Sequence, residues 1–302
     1  MHLPPLLSPG DKVALVALSG PCTNREQLAG AVAALTEMGL EVEVKDSCFA
    51  MHPKLSYLAG EDKLRLDDLH DVFFEKSIKG VFAARGGYGV GRLLPYIDFE
   101  IIKQNPKVLV GFSDVTALHT AINQQAGLIT FHGQMPYNYF GGAEYYKLLF
   151  DNKPLSFINL QALYPGECAG ITTGGNLSVI TSMLGTPYEI DTKGRILILE
   201  DINEPLYKID RMLLQLKLAG KLKDAAGIIF GDMSGLGLNE LYPVLKELVL
   251  DEKKPTLWGL QCGHIKQNFT VPLGAAGEIS AGVFNVFSSR SLQAKALRQQ
   301  PH

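Results

Sequence analysis

From Lys107 to His119 the chain reads Lys-Val-Leu-Val-Gly-Phe-Ser-Asp-Val-Thr-Ala-Leu-His: an apolar β-forming run, a short polar turn, then a helix-forming run. A strand that passes straight into a helix has few ways to pack. It predicts a β-α unit with Ser113 lifted on a sharp turn, its hydroxyl exposed and the neighbouring N–H groups free. The pattern is close to a G-x-S-x-G nucleophile elbow, but Val115 occupies the place of the second glycine.

The same alternation recurs through the first half. Strands are expected at Lys12–Leu18, Glu41–Lys45, Gly80–Ala84, Val108–Phe112 and Ile129–Phe131. Helices are expected at Glu26–Met38, Asp62–Phe74 and Asp114–Gln124. Repeated β-α units imply a parallel sheet with helices on both faces, of the α/β Rossmann or flavodoxin-like kind, with ligand sites at the C-terminal ends of the strands. Both Ser113 and the glycine-rich run Arg85–Gly91 fall at such ends. After a Pro, Asn and Gly-containing connection, a smaller α+β domain is expected. Its helices are Ser178–Leu184 and Ile209–Ala219, its strands Arg195–Leu199, Gly227–Phe230 and Pro255–Gly259, with antiparallel strands from Ala275. Gly174-Gly175 reads as a tight turn ahead of the first of these helices. The expected boundaries are 1–155 for the first domain, 156–169 for the connection and 170–302 for the second.

Composition narrows the partners. With 46% hydrophobic and 20% charged residues over 302 positions, the chain has the core of a globular protein. A formal net charge of −3 and interleaved lysines and acids argue against a nucleic-acid or anionic-membrane partner. Val13–Leu18 is too short to span a membrane, and the start Met-His-Leu-Pro-Pro lacks the cationic n-region of a signal peptide. Cys22, Cys48, Cys168 and Cys262 form no C-x-x-C pair, which fits reduced thiols in the cytoplasm better than a disulfide or metal framework. No cofactor is expected.

A serine nucleophile needs a base, and the base needs an acceptor that holds its tautomer. His264, in the loop after Cys262-Gly263, is the best base. His132, ending a strand in the first domain, is its rival. His119 lies about one and a half helical turns beyond Ser113, facing away, and His2, His52, His70 and His302 sit in surface or terminal contexts. Glu200, at the end of the apolar run Ile196–Leu199, is the best orienting acid, with Asp201 and Glu204 in competition. The Asp114 carboxylate is expected to favour the helix N-terminus, while its N–H is free to serve as an oxyanion donor. Arg85–Gly91 admits three readings: a phosphate loop of a nucleotide-binding module, an oxyanion contributor, or a turn that needs positive φ.

Taken together, Ala84–Gly89, Gly111–Leu118, Thr130–Gly133, Gly174–Leu177, Leu199–Asp201 with Tyr207–Leu213, and Gly263-His264 followed by Asn268 and Pro272–Gly274 resemble the LD-carboxypeptidase family. This family comprises serine peptidases of the muramoyltetrapeptide carboxypeptidase and microcin-immunity types, and the resemblance covers nearly the whole chain. Gln134-Met135-Pro136 departs from it, since the family often has proline directly after the glycine at 133. The resemblance implies a metal-free triad of Ser113, Glu200 and His264 divided between two domains. It also implies an oxyanion hole from the backbone of Gly86, Gly87 and Asp114, and a homodimer. The implied activity is release of the terminal D-alanine from murein tetrapeptides in cytoplasmic peptidoglycan recycling. The immunity-type branch would instead hydrolyse peptidyl or aminoacyl adenylate-like toxins.

Overall fold

The computed structural model describes residues 1–138, 143–151 and 153–287. The chain divides into two compact units, residues 1–152 and 153–302.

In the first unit, β1 (Lys12–Val16), β2 (Glu41–Val44), β3 (Ile78–Ala83), β4 (Val108–Gly111) and β5 (Thr130–His132) pair in the order β2-β1-β3-β4-β5, every pair parallel. Helices α1 (Arg25–Glu37), α2 (Asp62–Phe74), α3 (Phe99–Gln104) and α4 (Thr116–Gln125) make the connections. The order reverses at β1, so the crevice between the C-terminal ends of β1 and β3 is the topological switch point, where ligands of such sheets bind. The α/β class expected from the strand-helix alternation holds. The strand cores β1, β3 and β4 are buried over nearly every residue, as a sheet covered on both faces requires. Asn24 caps α1, its side chain accepting from Glu26 N and Gln27 N at 2.9 and 3.2 Å.

The second unit is one mixed sheet. Its strands are β6 (Leu155–Phe157), β7 (Gln161–Tyr164), β8 (Cys168–Asn176), β9 (Arg195–Ile202), β10 (Gly227–Ser234), β11 (Thr256–Trp258), β13 (Ala276–Ser280) and β14 (Val283–Phe287), with β12 (Val271–Leu273) preceding the last pair. The sheet order is β6-β14-β13-β8-β9-β10-β11-β7. β8 to β11 run parallel, and antiparallel strands close both sides. Helices α5 (Leu177–Ser182), α6 (Leu206–Leu218), α7 (Lys221–Asp224) and α8 (Leu238–Leu248) complete the unit. Leu177, Leu199, Leu213, Phe230 and Leu245 belong to the core they share with the sheet.

Three differences from the sequence reading have physical causes. Residues 156–169, read as a connection, carry most of β6, all of β7 and the start of β8; the first two are half-exposed edge strands of three and four residues, too short for an alternating period to show. Gly174-Gly175 is not a turn but lies inside β8. A Cβ at Gly174 would fall 1.9 Å from the Ile198 carbonyl oxygen, so these glycines let β8 and β9 approach. Finally, α8 escaped the reading because Pro243 interrupts its pattern, although Leu238, Leu241, Leu245 and Leu248 keep helical spacing.

Candidate active site

Ser113 opens a 3-10 turn (Ser113–Val115) between β4 and α4 and adopts φ 62°, a left-handed conformation that side-chain-bearing residues avoid. Two glycines make room for it. A Cβ at Gly111 would meet Val115 Cγ1 at 2.8 Å and Ala83 Cβ at 3.1 Å; one at Gly86 would meet Ser113 Cβ and Oγ at 3.0 Å. The second contact brings the turn after β3 directly against the serine.

That turn is tied down from several sides. Gly20 N donates to Gly86 O at 3.1 Å across the switch point. The Asp114 carboxylate, in the first turn after β4, also has specific partners far along the chain. Its Oδ2 accepts from Ser19 Oγ at 2.6 Å and from Val90 N at 2.9 Å, binding the elbow to the end of β1 and to the far side of the glycine turn. Burial pushes this carboxyl upward from the ordinary range, and the bonds from Ser19 and Val90 oppose the shift. Ser19 and the fully buried Arg65, whose guanidinium donates to the Leu18 carbonyl at 2.5 Å, were not singled out from sequence. The N–H groups of Gly86, Gly87 and Asp114 take no partner among the described residues.

In the second unit, His264 Nδ1 lies 2.8 Å from Glu200 Oε2. A carboxylate can only accept, so Nδ1 carries the proton, and in the neutral ring Nε2 is the basic nitrogen. Glu200 is fully buried on β9, opposite Asn176 of β8. On its other side the β9–β10 register slips between Phe230 and Met233, leaving Gly231-Asp232 as a bulge beside it, a device that re-aims a side chain. The His264 loop is fixed by Asp232 N donating to Cys262 O at 2.9 Å and Gly263 N donating to Asn268 Oδ1 at 3.0 Å. Gly263 has φ 116°, and a Cβ there would stand 2.7 Å from Glu200 Oε2. The neighbouring Cys262 thiol is pushed well up by burial and by the Glu200 and Asp232 charges, so it stays protonated.

Comparison with known proteins follows the same division. Residues 13–133 match the LD-carboxypeptidase N-terminal domain and residues 169–279 the LD-carboxypeptidase C-terminal domain. The chain belongs to the LD-carboxypeptidase family. It is thus one of the serine-type carboxypeptidases. A Bacillus subtilis (strain 168) protein named "Probable murein peptide carboxypeptidase" is 41% identical over 294 residues, covering 91% of this chain and 90% of that one. Among solved structures, an MccF-like protein from Bacillus anthracis superposes with a TM-score of 0.88 at 25% identity, covering 96% of this chain and 100% of that one. The muramoyltetrapeptide carboxypeptidase from Oxalobacter formigenes gives 0.81 at 28% identity, covering 91% and 97%.

The remaining candidates have other employment. Asp201, which competed with Glu200, accepts from Ser178 N and Oγ at 2.8 and 2.6 Å and so holds the start of α5. Glu204 pairs with Lys208 at 3.1 Å. His132 is buried in β5, its ring 6.0 Å from that of Phe112 and 6.3 Å from that of His119. His52 and His70 accept backbone N–H bonds, from Lys54 and Leu55 and from Asp98. His2 bridges to Leu128, and His302 lies outside the described residues.

His119 turns out to brace the elbow from behind. Fully buried, its Nε2 donates to the Gly111 carbonyl at 2.8 Å, and burial lowers its pKa to about 3. In the unfolded chain this ring titrates near 6.5. The unfolded state therefore takes up a proton first as pH falls. The stability His119 provides is complete above about pH 6.5 and is lost progressively toward pH 3, on the order of 5 kcal/mol over the whole window. Urea unfolding between pH 7 and 4 should show this loss, and His119→Asn should flatten it. An unchanged acid slope in the variant would contradict the assignment.

Proposed function

We propose that this protein is a serine LD-carboxypeptidase that releases the terminal D-alanine from murein tetrapeptides in the cytoplasm, as a step of peptidoglycan recycling. The observation that carries the reading is the 2.8 Å bond from His264 to a fully buried Glu200, which leaves Nε2 as the basic nitrogen. The positive-φ setting of Ser113 supplies the matching nucleophile. In this reading His264 Nε2 takes the Ser113 proton as Oγ attacks the carbonyl between the diamino acid and D-alanine. Glu200 stabilises the imidazolium, and the N–H groups of Asp114 and of Gly86 and Gly87 receive the oxyanion. His264 then protonates the departing amine, and water, activated by the same nitrogen, resolves the acyl-enzyme.

Two further points complete the proposal. The protein acts as a homodimer on a small peptide, with neither nucleic acid nor membrane as partner. No helix among the described residues is long and apolar enough to cross a membrane. The relative with 41% identity favours a murein peptide over the aminoacyl adenylate-like substrates of the immunity type, which the MccF-like neighbour keeps as a second reading. Parallel turnover assays separate the two. A murein tetrapeptide should release free D-alanine with kcat/KM of at least about 10⁴ M⁻¹s⁻¹. Turnover of an aminoacyl sulfamoyl adenylate with an inert tetrapeptide would overturn the murein reading.

A further inference from the structure

We infer that Arg85 and the cavity beside it form an anion subsite that takes the free α-carboxylate at the end of the peptide. The inference deepens the proposed function and rests on it for the identity of the peptide. The cavity, about 710 Å³, lies within the first unit and is lined by Gly20, Thr23, Ser56, Tyr57, Arg85 and Tyr88, together with Pro21 and Gly87. It therefore sits at the switch point between β1 and β3 and shares the glycine turn with the nucleophile elbow.

Arg85 is the only cation among the described residues of this lining. Its Nη1 donates to the Pro21 carbonyl at 2.9 Å, and its guanidinium stands 5.9 Å from the Tyr137 ring centroid. Neither partner is anionic, and no carboxylate of the described residues pairs with it. Half-buried, the guanidinium keeps N–H donors and a full charge for a ligand. Gly20 leaves space beside it, since a Cβ there would stand 3.4 Å from Nε and 3.6 Å from Cζ. Tyr57 and Tyr88, about half exposed and 6.0 Å apart between centroids, supply aromatic surface at the same opening.

Spacing and charge select the ligand. Arg85 directly precedes Gly86, whose Cβ position lies 3.0 Å from Ser113 Cβ and Oγ, so one turn carries both the arginine and the wall of the nucleophile. In a terminal residue the carboxylate follows the scissile nitrogen by one Cα, within the 3.8 Å repeat of a peptide. A planar fork of donors suits a carboxylate. A dianionic phosphate would need more positive charge than one guanidinium, and the N-terminus of α1 nearby is already satisfied by Asn24. Such a subsite makes the enzyme an exopeptidase, because a continuing chain or an amide end leaves Arg85 without its anion.

The test compares a tetrapeptide carrying a free terminal carboxylate with the same peptide ending in an amide, for the wild type, Arg85→Lys and Arg85→Gln. In parallel, N-acetyl-D-alanine, its amide and a phosphate monoester are titrated into the Ser113→Ala protein with and without Arg85→Gln. The wild type should prefer the acid by on the order of 10²-fold in kcat/KM, chiefly through KM. Arg85→Gln should bring that ratio toward one, with Arg85→Lys intermediate. Turnover with an unaltered acid-to-amide ratio in Arg85→Gln, or equal losses on both peptides, overturns the subsite and leaves the murein reading standing. Arg85-dependent binding of N-acetyl-D-alanine by a protein inert toward the tetrapeptide keeps the subsite and removes that reading. A phosphate monoester bound more tightly than N-acetyl-D-alanine, in an Arg85-dependent way, overturns the carboxylate assignment. Absence of both turnover and Arg85-dependent binding overturns both.

Discussion

Replacing Ser113 with alanine is expected to lower D-alanine release by on the order of 10⁶-fold while the protein remains folded. Alanine keeps the Cβ that packs against Gly86, so the cavity left behind is one oxygen. The residual rate would come from the oxyanion donors and binding alone. Ser113→Gly sharpens the experiment. Residue 113 adopts φ 62°, and glycine relieves about 1–2 kcal/mol of left-handed strain while adding about 0.5–1 kcal/mol of chain entropy. This variant should be at least as stable as Ser113→Ala in urea titration, and equally inactive. Retention of full activity by either variant would remove Ser113 from the mechanism. A glycine variant clearly less stable than the alanine one would remove the strain argument.

The second large effect concerns the acid. Glu200→Gln is nearly isosteric, but a glutamine amide can donate to His264 Nδ1, which forces the proton onto Nε2 and disables the base. Activity should fall on the order of 10⁴-fold with little change in melting temperature. Gly263→Ala tests the same pair without touching a reactive group. Its Cβ would lie 2.7 Å from Oε2 at a backbone angle that disfavours side chains, so the carboxylate must move away from the ring. A misplacement of this size should cost on the order of 10²-fold. Full activity in Glu200→Gln would show that tautomer control at His264 is unnecessary, and full activity in Gly263→Ala would show that the observed geometry is.

How far each feature could be read from sequence depended on the range of the interaction behind it. α2 was read at its observed bounds because its apolar spacing is local. The elbow was legible because a strand, a turn and a helix abut within a dozen residues. Glu200 and His264 were picked singly, from a strand end and a loop, but their hydrogen bond spans 64 positions. Whether that carboxylate meets that ring depends on the β9–β10 bulge, and a one-residue slip in register would send Glu200 to the other face. The bond from Ser19 to Asp114 is illegible for the same reason, since the two lie 95 positions apart.

By itself the sequence determined the parallel β-α architecture of the first unit and the turn that exposes Ser113, both governed by periodicity and local backbone sterics. The tertiary structure decided the rest: why Gly174 and Gly263 must be glycine, which acid holds His264, and that Arg85 stands over a cavity with no carboxylate partner among the described residues. Those depend on distances between strands and side chains far apart in the chain, which only the folded packing sets.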